Sequence, residues 1–155
     1  MNGKLEIVHA LVDHAEEVAS LFDAYRCWYG QESDLGGART FIRQRLVSNE
    51  SQIFFARHDD RAVAFIQLYP MFSSVCLGRV WILNDLYVVE SARRAGMGTV
   101  LLETAAEFAR ALGVIRIQLE IKHDNTAAQA ACESLGWKQD SEFLHYSLNM
   151  SESDG

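Results

Sequence analysis

The chain has 155 residues, 49% of them hydrophobic and 23% charged, the balance of one globular domain with a sizeable core. A formal net charge of −7 argues against nonspecific nucleic-acid binding, which depends on neutralising phosphates, and no apolar run approaches the ~20 residues of a membrane span. The start, MNGKLEIVHA, lacks the basic-then-apolar layout of a signal peptide, and Cys27, Cys76 and Cys132 form no CxxC pair, so zinc and disulfides are not expected and a reducing cytoplasm is.

In chain order, KLEIVHA (Lys4–Ala10) reads as a strand. Asp13 and Glu16 have capping-box spacing for a helix running to Tyr29 and closed by Gly30. Asp34 opens a second helix through about Ser48. Gln52–Arg57 and Ala62–Tyr69 are apolar, aromatic or β-branched and joined by HDDR, the pattern of a hairpin; the second strand meets the chain's only proline, Pro70. GRVWILNDLYVV is a long strand ending near Val89. A helix follows with Leu101, Ala105, Phe108 and Leu112 on one face. Ile115–Ile121 reads as a strand, and Asn125 caps a helix from Thr126 to Leu135 that Gly136 ends. Phe143–Met150 reads as a last strand, with an extra one near Trp137. The expectation is a single α/β domain over residues 1–150, a mixed sheet flanked by helices, with SESDG (151–155) as a flexible tail.

One turn needs a special explanation. VVESARRAGMGTVLLETAAEFARALG passes from strand to helix through two arginines and two glycines. A helix start offers unpaired N–H groups and partial positive charge, which suit a phosphate. A Walker loop fails for want of its lysine. A dinucleotide fingerprint fails because Leu101 stands where a third glycine belongs.

Arg93-Arg94-Ala95-Gly96-Met97-Gly98 instead resembles the pyrophosphate loop, R/Q-x-x-G-x-G/A, of the GNAT superfamily of N-acetyltransferases. The resemblance extends from about Trp81 to Trp137 through NDLYV, then LEIKHDNTAAQAACESLGW with Asn125 and Leu135-Gly136-Trp137 at family spacing. It is similar to the spermidine/spermine branch in its strand-to-Asn125 spacing, and LEIK resembles the branch that acetylates protein N-termini. What this implies is a GNAT-like acyl-CoA acyltransferase fold using acetyl-CoA and no metal. Backbone N–H groups of Arg94, Ala95, Gly96, Met97, Gly98 and Thr99 are then expected to hold the pyrophosphate, with charge from Arg93 and Arg94. The pantetheine arm pairs with main chain at Leu86, Tyr87 and Val88, where an N–H also steadies the thioester oxygen. Asn125 contacts the arm in relatives, besides being able to cap its helix.

Amide formation from a thioester needs a deprotonated amine, alignment and a departing thiolate. Two carboxylates compete as base. Glu120 matches the glutamate of the N-terminal-acetylating branch, and Asp85 lies beside the polyamine-type glutamate position, which is Asn84 here and able to hold a water. The family's tyrosine acid is replaced by Cys132. Substrate selection is expected from Tyr25, Trp28 and Tyr29, which with Glu32 and Asp34 suit an amine or ammonium, and from Ser73–Val75 on the rim. The implied activity is acetyl transfer to a primary amine of a small molecule or peptide, in a cytoplasmic protein of a family in which homodimers are common. The alternatives are a non-catalytic CoA-binding sensor or partner-binding module, and an unrelated nucleotide-phosphate binder.

Overall fold

The computed structural model describes residues 3–151, which divide into two compact units, one ending at Glu120 and one beginning at Ile121. The first unit is built on a five-stranded sheet in the order β1 (Leu5–His9), β2 (Gln52–His58), β3 (Arg61–Ser73), β4 (Gly78–Val88), β5 (Arg116–Leu119). The first four strands pair antiparallel, and β5 lies parallel to β4. Its helices are α1 (Ala15–Trp28), α2 (Leu35–Val47) and α3 (Met97–Ala111). The return of the chain through α3 is what allows the parallel pairing, because a short hairpin cannot make it.

Strand alternation gives the sheet two apolar faces. On one, Ile53 and Phe55 of β2 and Phe65 of β3 pack with Val18 and Phe22 of α1 and Ile42 of α2. On the other, α3 packs against the central strands and buries Leu101, Leu102, Ala105 and Ala109. The Phe108 ring there meets His9, Phe54 and Trp81. The Asp34 carboxylate caps α2 by accepting from the Gly37 amide at 2.9 Å, as its sequence position predicts. The hairpin predicted around HDDR turns at Asp59 and Asp60, both left-handed with φ of 50° and 67°, the twist a two-residue hairpin prefers. Strand β3 runs past Pro70 to Ser73, longer than its sequence suggests; Pro70 is opposite Trp81.

Two expectations fail here. Asp13 does not cap α1: residues Val12–His14 form a 3₁₀ turn and the helix starts at Ala15, because the His14 ring accepts the Leu11 amide at 2.9 Å and ends that turn locally. Ser73–Val75 does not border the ligand end of the strands either. It forms the tip where β3 turns into β4, at the opposite end of β4 from Asn84–Val88.

The second unit carries α4 (Thr126–Ser134). Asn125 caps it, its side-chain oxygen accepting the Ala128 amide at 3.2 Å, and Gly136 leaves it with φ of 94°. Neither the strand expected over Phe143–Met150 nor one near Trp137 forms among the described residues, and the segment's large apolar side chains, Phe143 at 77% and Tyr146 at 84%, are exposed. Alternation alone supplies one apolar edge but no neighbouring strand to bond it. Of the predicted tail, 151–155, all but Ser151 lies outside the described residues.

Candidate active site

Strand β4 has a partner on each side only for part of its length. Its register with β5 runs from Val80↔Arg116 to Leu83↔Leu119, while its register with β3 continues to Val88. Beyond Leu83 the two parallel strands separate, with Asn84 next on one and Glu120 next on the other. The Val89 amide bonds the Val63 carbonyl on β3. Alternation then sends the main-chain groups of Asp85 and Tyr87 to β3 and those of Leu86 and Val88 to the β5 side. Of the three strand residues assigned to the pantetheine arm, Leu86 offers free-side groups, Val88 offers its N–H while Arg93 Nε takes its carbonyl, and Tyr87 is used within the sheet.

A bulge sits at the point of separation. Gln67 is opposite Asp85 but Leu68 is opposite Leu83, so Asn84 is the extra residue. Asn84 is exposed, and its carbonyl accepts from the Tyr25 hydroxyl at 3.3 Å. Asp85 is buried at 4% exposure on the α1 side of the sheet, where Gln67 Nε2 donates to its Oδ2 at 2.5 Å and Tyr25 is within hydrogen-bond reach. Burial pushes the Asp85 carboxyl above its ordinary range, against the pull of those two donors. The Tyr25 hydroxyl is also pushed up, first by burial and then by the neighbouring carboxylate.

At the end of β4 the chain makes a 3₁₀ turn (Glu90–Ala92) and enters α3. Arg94 and Gly96 are both left-handed, with φ of 68° and 79°, and the chain turns sharply from β4 into the helix there. Gly96 is the N-cap, so the first-turn amides of Met97, Gly98 and Thr99 lack intrahelical acceptors. A Cβ built on Gly98 meets nothing within 4 Å. The two arginines differ. Arg93 folds back, its Nε donating to the Val88 carbonyl at 2.9 Å and its guanidinium lying over the Trp28 and Tyr87 rings at 5.7 and 5.8 Å; Arg94 is exposed.

The predicted aromatic group is assembled by the end of α1. Trp28, Tyr29 and Tyr25 follow one another at centroid distances of 5.1 and 5.0 Å, and Tyr25 reaches Tyr87 of β4 at 6.1 Å. The Asp23 carboxylate accepts from the Ser33 hydroxyl and the Asp34 amide, which ties down the loop between α1 and α2. Glu120 is exposed immediately after β5. In the second unit, Cys132 is buried in α4, and burial pushes its thiol up. Sequence reasoning missed Gln67 and Ser51, two of the buried polar residues, although a lone glutamine inside VAFIQLY is a legible oddity.

The arrangement has an edge of unpaired strand, a helix start with open amides and space beside Gly98, and a buried carboxyl under aromatic rings. It can hold a pyrophosphate and an extended amide-bearing arm, and can accept a proton on the α1 side. Among the described residues no cluster able to hold a metal ion occurs.

The model of the acetyltransferase (GNAT) family matches residues 15–137. An uncharacterized N-acetyltransferase, YhfO, of Bacillus subtilis is 41% identical over 146 residues, 94% of this chain and 98% of the relative. Thialysine N-epsilon-acetyltransferase of Caenorhabditis elegans is 23% identical over 97% of this chain and 87% of its own. A crystal structure of a probable acetyltransferase superposes with a TM-score of 0.90 at 43% identity, covering 96% of this chain and 99% of that one. An aminoglycoside N-acetyltransferase in complex with CoA shares the fold, with a TM-score of 0.77 at 18% identity over 96% and 97%.

Proposed function

The chain belongs to the acetyltransferase (GNAT) family and is an acetyl-CoA-dependent N-acetyltransferase, and from that premise we propose that it acetylates a primary amine of a small molecule or peptide by direct attack, with Asp85 as the base. Acetyl-CoA supplies an activated acyl group as a thioester. Three parts of this chain then have separate tasks. The open amides of Met97, Gly98 and Thr99 bind the pyrophosphate, helped by the positive end of α3. The free side of β4 at Leu86 and Val88 aligns the arm, and one of those N–H groups stabilises the oxygen that gains charge.

The acceptor approaches from the α1 side, beneath Tyr25, Trp28 and Tyr29. An alkyl ammonium of pKa ~10.4 must lose its proton before attack, and Asp85 faces that side with a carboxyl whose basicity burial has raised. This buried carboxyl at the bulge is the observation that carries the proposal. Asn84 fits a water-holding role beside it. Burial holds the Cys132 thiol above its ordinary range. Help for the leaving group is worth less, since a thiol of pKa ~8.5 leaves readily as thiolate.

A net charge of −7 favours cationic acceptors. Relatives named for thialysine and aminoglycoside acetylation support a small-molecule amine. We assign the protein to the cytoplasm on the strength of three free cysteines. We also assign it to homodimers, because Phe143–Met150 exposes apolar side chains that a second copy would cover. A monomer mass by light scattering refutes the latter.

The test is CoA release from acetyl-CoA over a panel of thialysine, spermidine, sisomicin and an alanyl peptide. Turnover of one class identifies the acceptor. Tight acetyl-CoA binding without turnover of any amine replaces the enzyme by a CoA-binding sensor.

A further inference from the structure

Gln67 lies in the middle of β3, in an apolar run, and has no exposure at all. A buried primary amide is costly unless its donors and acceptor are met. Here both ends are met: Gln67 Oε1 accepts from the Ser51 hydroxyl at 2.8 Å, and its Nε2 donates to Asp85 Oδ2 at 2.5 Å. Ser51 is itself buried at 4%, just before β2, and borders a recess lined also by His9, Asp13 and Asn49. A methionine would fill the same volume without any polar accounting, so packing gives no reason for an amide at this position.

We propose that Gln67 is a positioning residue for the Asp85 carboxyl: with its carbonyl engaged by Ser51, it presents only its N–H donors to Asp85, which fixes one carboxylate oxygen and leaves the other for the acceptor. The inference deepens the proposed function and rests on Asp85 being the base. An amide does not pass protons along at neutral pH, so the trio aims the carboxyl and does not conduct protons through it.

The same contact tunes ionisation. Burial raises the Asp85 carboxyl, and the Gln67 and Tyr25 hydrogen bonds oppose it. The groups around it are Tyr25 of α1 with Tyr29 behind, Tyr87 further along β4, and Tyr69 of β3, whose own hydroxyl is pushed up to about 12, by burial first and then by Asp85. Arg45 of α2 and Glu50 act on Tyr69. Among the described residues none makes an ion pair with Asp85. Gln67 is therefore the larger of the two influences that oppose burial, ahead of Tyr25.

Carboxyl ¹³C NMR through a pH titration reads Asp85 without any substrate, its signal assigned by its loss in Asp85→Asn. In Gln67→Met the expected midpoint rises by ~1–2 pH units, the worth of one hydrogen bond to a charged group. The acid limb of kcat/KM, measured with the panel amine that turns over best, moves with it, while KM for acetyl-CoA stays within about twofold. Ser51→Ala frees the amide to turn over and shifts the midpoint the same way by less; it also serves if Gln67→Met fails to fold by circular dichroism. Midpoints within ~0.3 unit of wild type in the folded variants overturn the proposal and leave Asp85 standing as base. If Asp85→Asn keeps wild-type kcat/KM and its acid limb, both readings fall.

Discussion

Gly96 and Gly98 sit two residues apart, and the structure gives them opposite reasons for being glycine. Gly96 holds φ of 79° as the N-cap of α3, a conformation that costs an L-residue about 1–2 kcal/mol. Gly98 is inside the helix with no left-handed φ, and a Cβ there meets nothing in the protein within 4 Å. The fold does not ask for a glycine at 98. Replacing it by valine improves helix propensity by about 0.3 kcal/mol, so the melting temperature is expected to stay level or rise by about 1 °C. If the empty space beside Gly98 is where a pyrophosphate approaches the amides, the new side chain prevents at least one charge-assisted hydrogen bond. One such bond is worth about 1.5–3 kcal/mol, which weakens CoA binding ~10- to 150-fold. Gly96→Ala should show the reverse weighting, a clear loss of stability whatever happens to binding. Thermal melts by circular dichroism and CoA titration by calorimetry separate the two. Wild-type CoA affinity in folded Gly98→Val would falsify the assignment of the loop.

Other consequences follow from burial and charge. Phe65 is fully buried between α1 and the sheet, and Phe65→Ala should cost about 3–5 kcal/mol in urea unfolding; a loss near 1 kcal/mol means the site collapses or was never packed. Glu17 accepts two hydrogen bonds from Arg57, at 2.8 and 2.6 Å, and that contact first of all holds its carboxyl below the ordinary 4.5. A carboxyl lowered in the folded state stabilises above its unfolded value, and the gain disappears as pH falls below about 4.5. With the Glu17 side chain 35% exposed, solvent screening limits the expected cost of Arg57→Met to about 0.5–1 kcal/mol at pH 7. The variant and wild type should converge near pH 2, and equal differences at both pH values contradict the linkage. Asp34→Ala removes the α2 cap and should cost about 0.5–2 kcal/mol; an unchanged denaturation midpoint shows that the cap does not contribute.

The strand-to-helix turn and the order of elements as far as α4 were legible in the sequence because each leaves a local signature. Arginines and glycines at a strand-to-helix switch, an acid before α2 and Asn125 before α4 all act within a few residues, which is the range sequence patterns report. The Asp13 cap was local as well, yet His14 competes for the same turn and takes the Leu11 amide. What could not be read is long-range. Gln67 and Asp85 are 18 residues apart and meet only through strand register, and Tyr25 reaches β4 only because α1 packs across the sheet. The apolar alternation of Phe143–Met150 promised a strand, but a ladder depends on a neighbour that no residue in the segment encodes.

The choice between the two carboxylates turns on the bulge. Leu83 and Leu86 of β4 belong to the α3 side of the sheet, while Asp85 and Tyr87 face α1. In an unbroken strand the residue two after Leu83 shares its face, which would turn Asp85 toward α3 and away from the acceptor. The extra residue Asn84 reverses that parity. It brings the carboxylate to the α1 side, the side proposed for the acceptor, from one position beyond Asn84. Glu120 lies exposed after β5, outside the bulge that turns Asp85 inward. Positioned proton transfer is worth ~10²–10⁴-fold, so Asp85→Asn should lose that much kcat/KM on the accepted amine, with Glu120→Gln staying within about tenfold of wild type. The opposite ranking of the two variants refutes the bulge argument and returns the base to the strand end at Glu120.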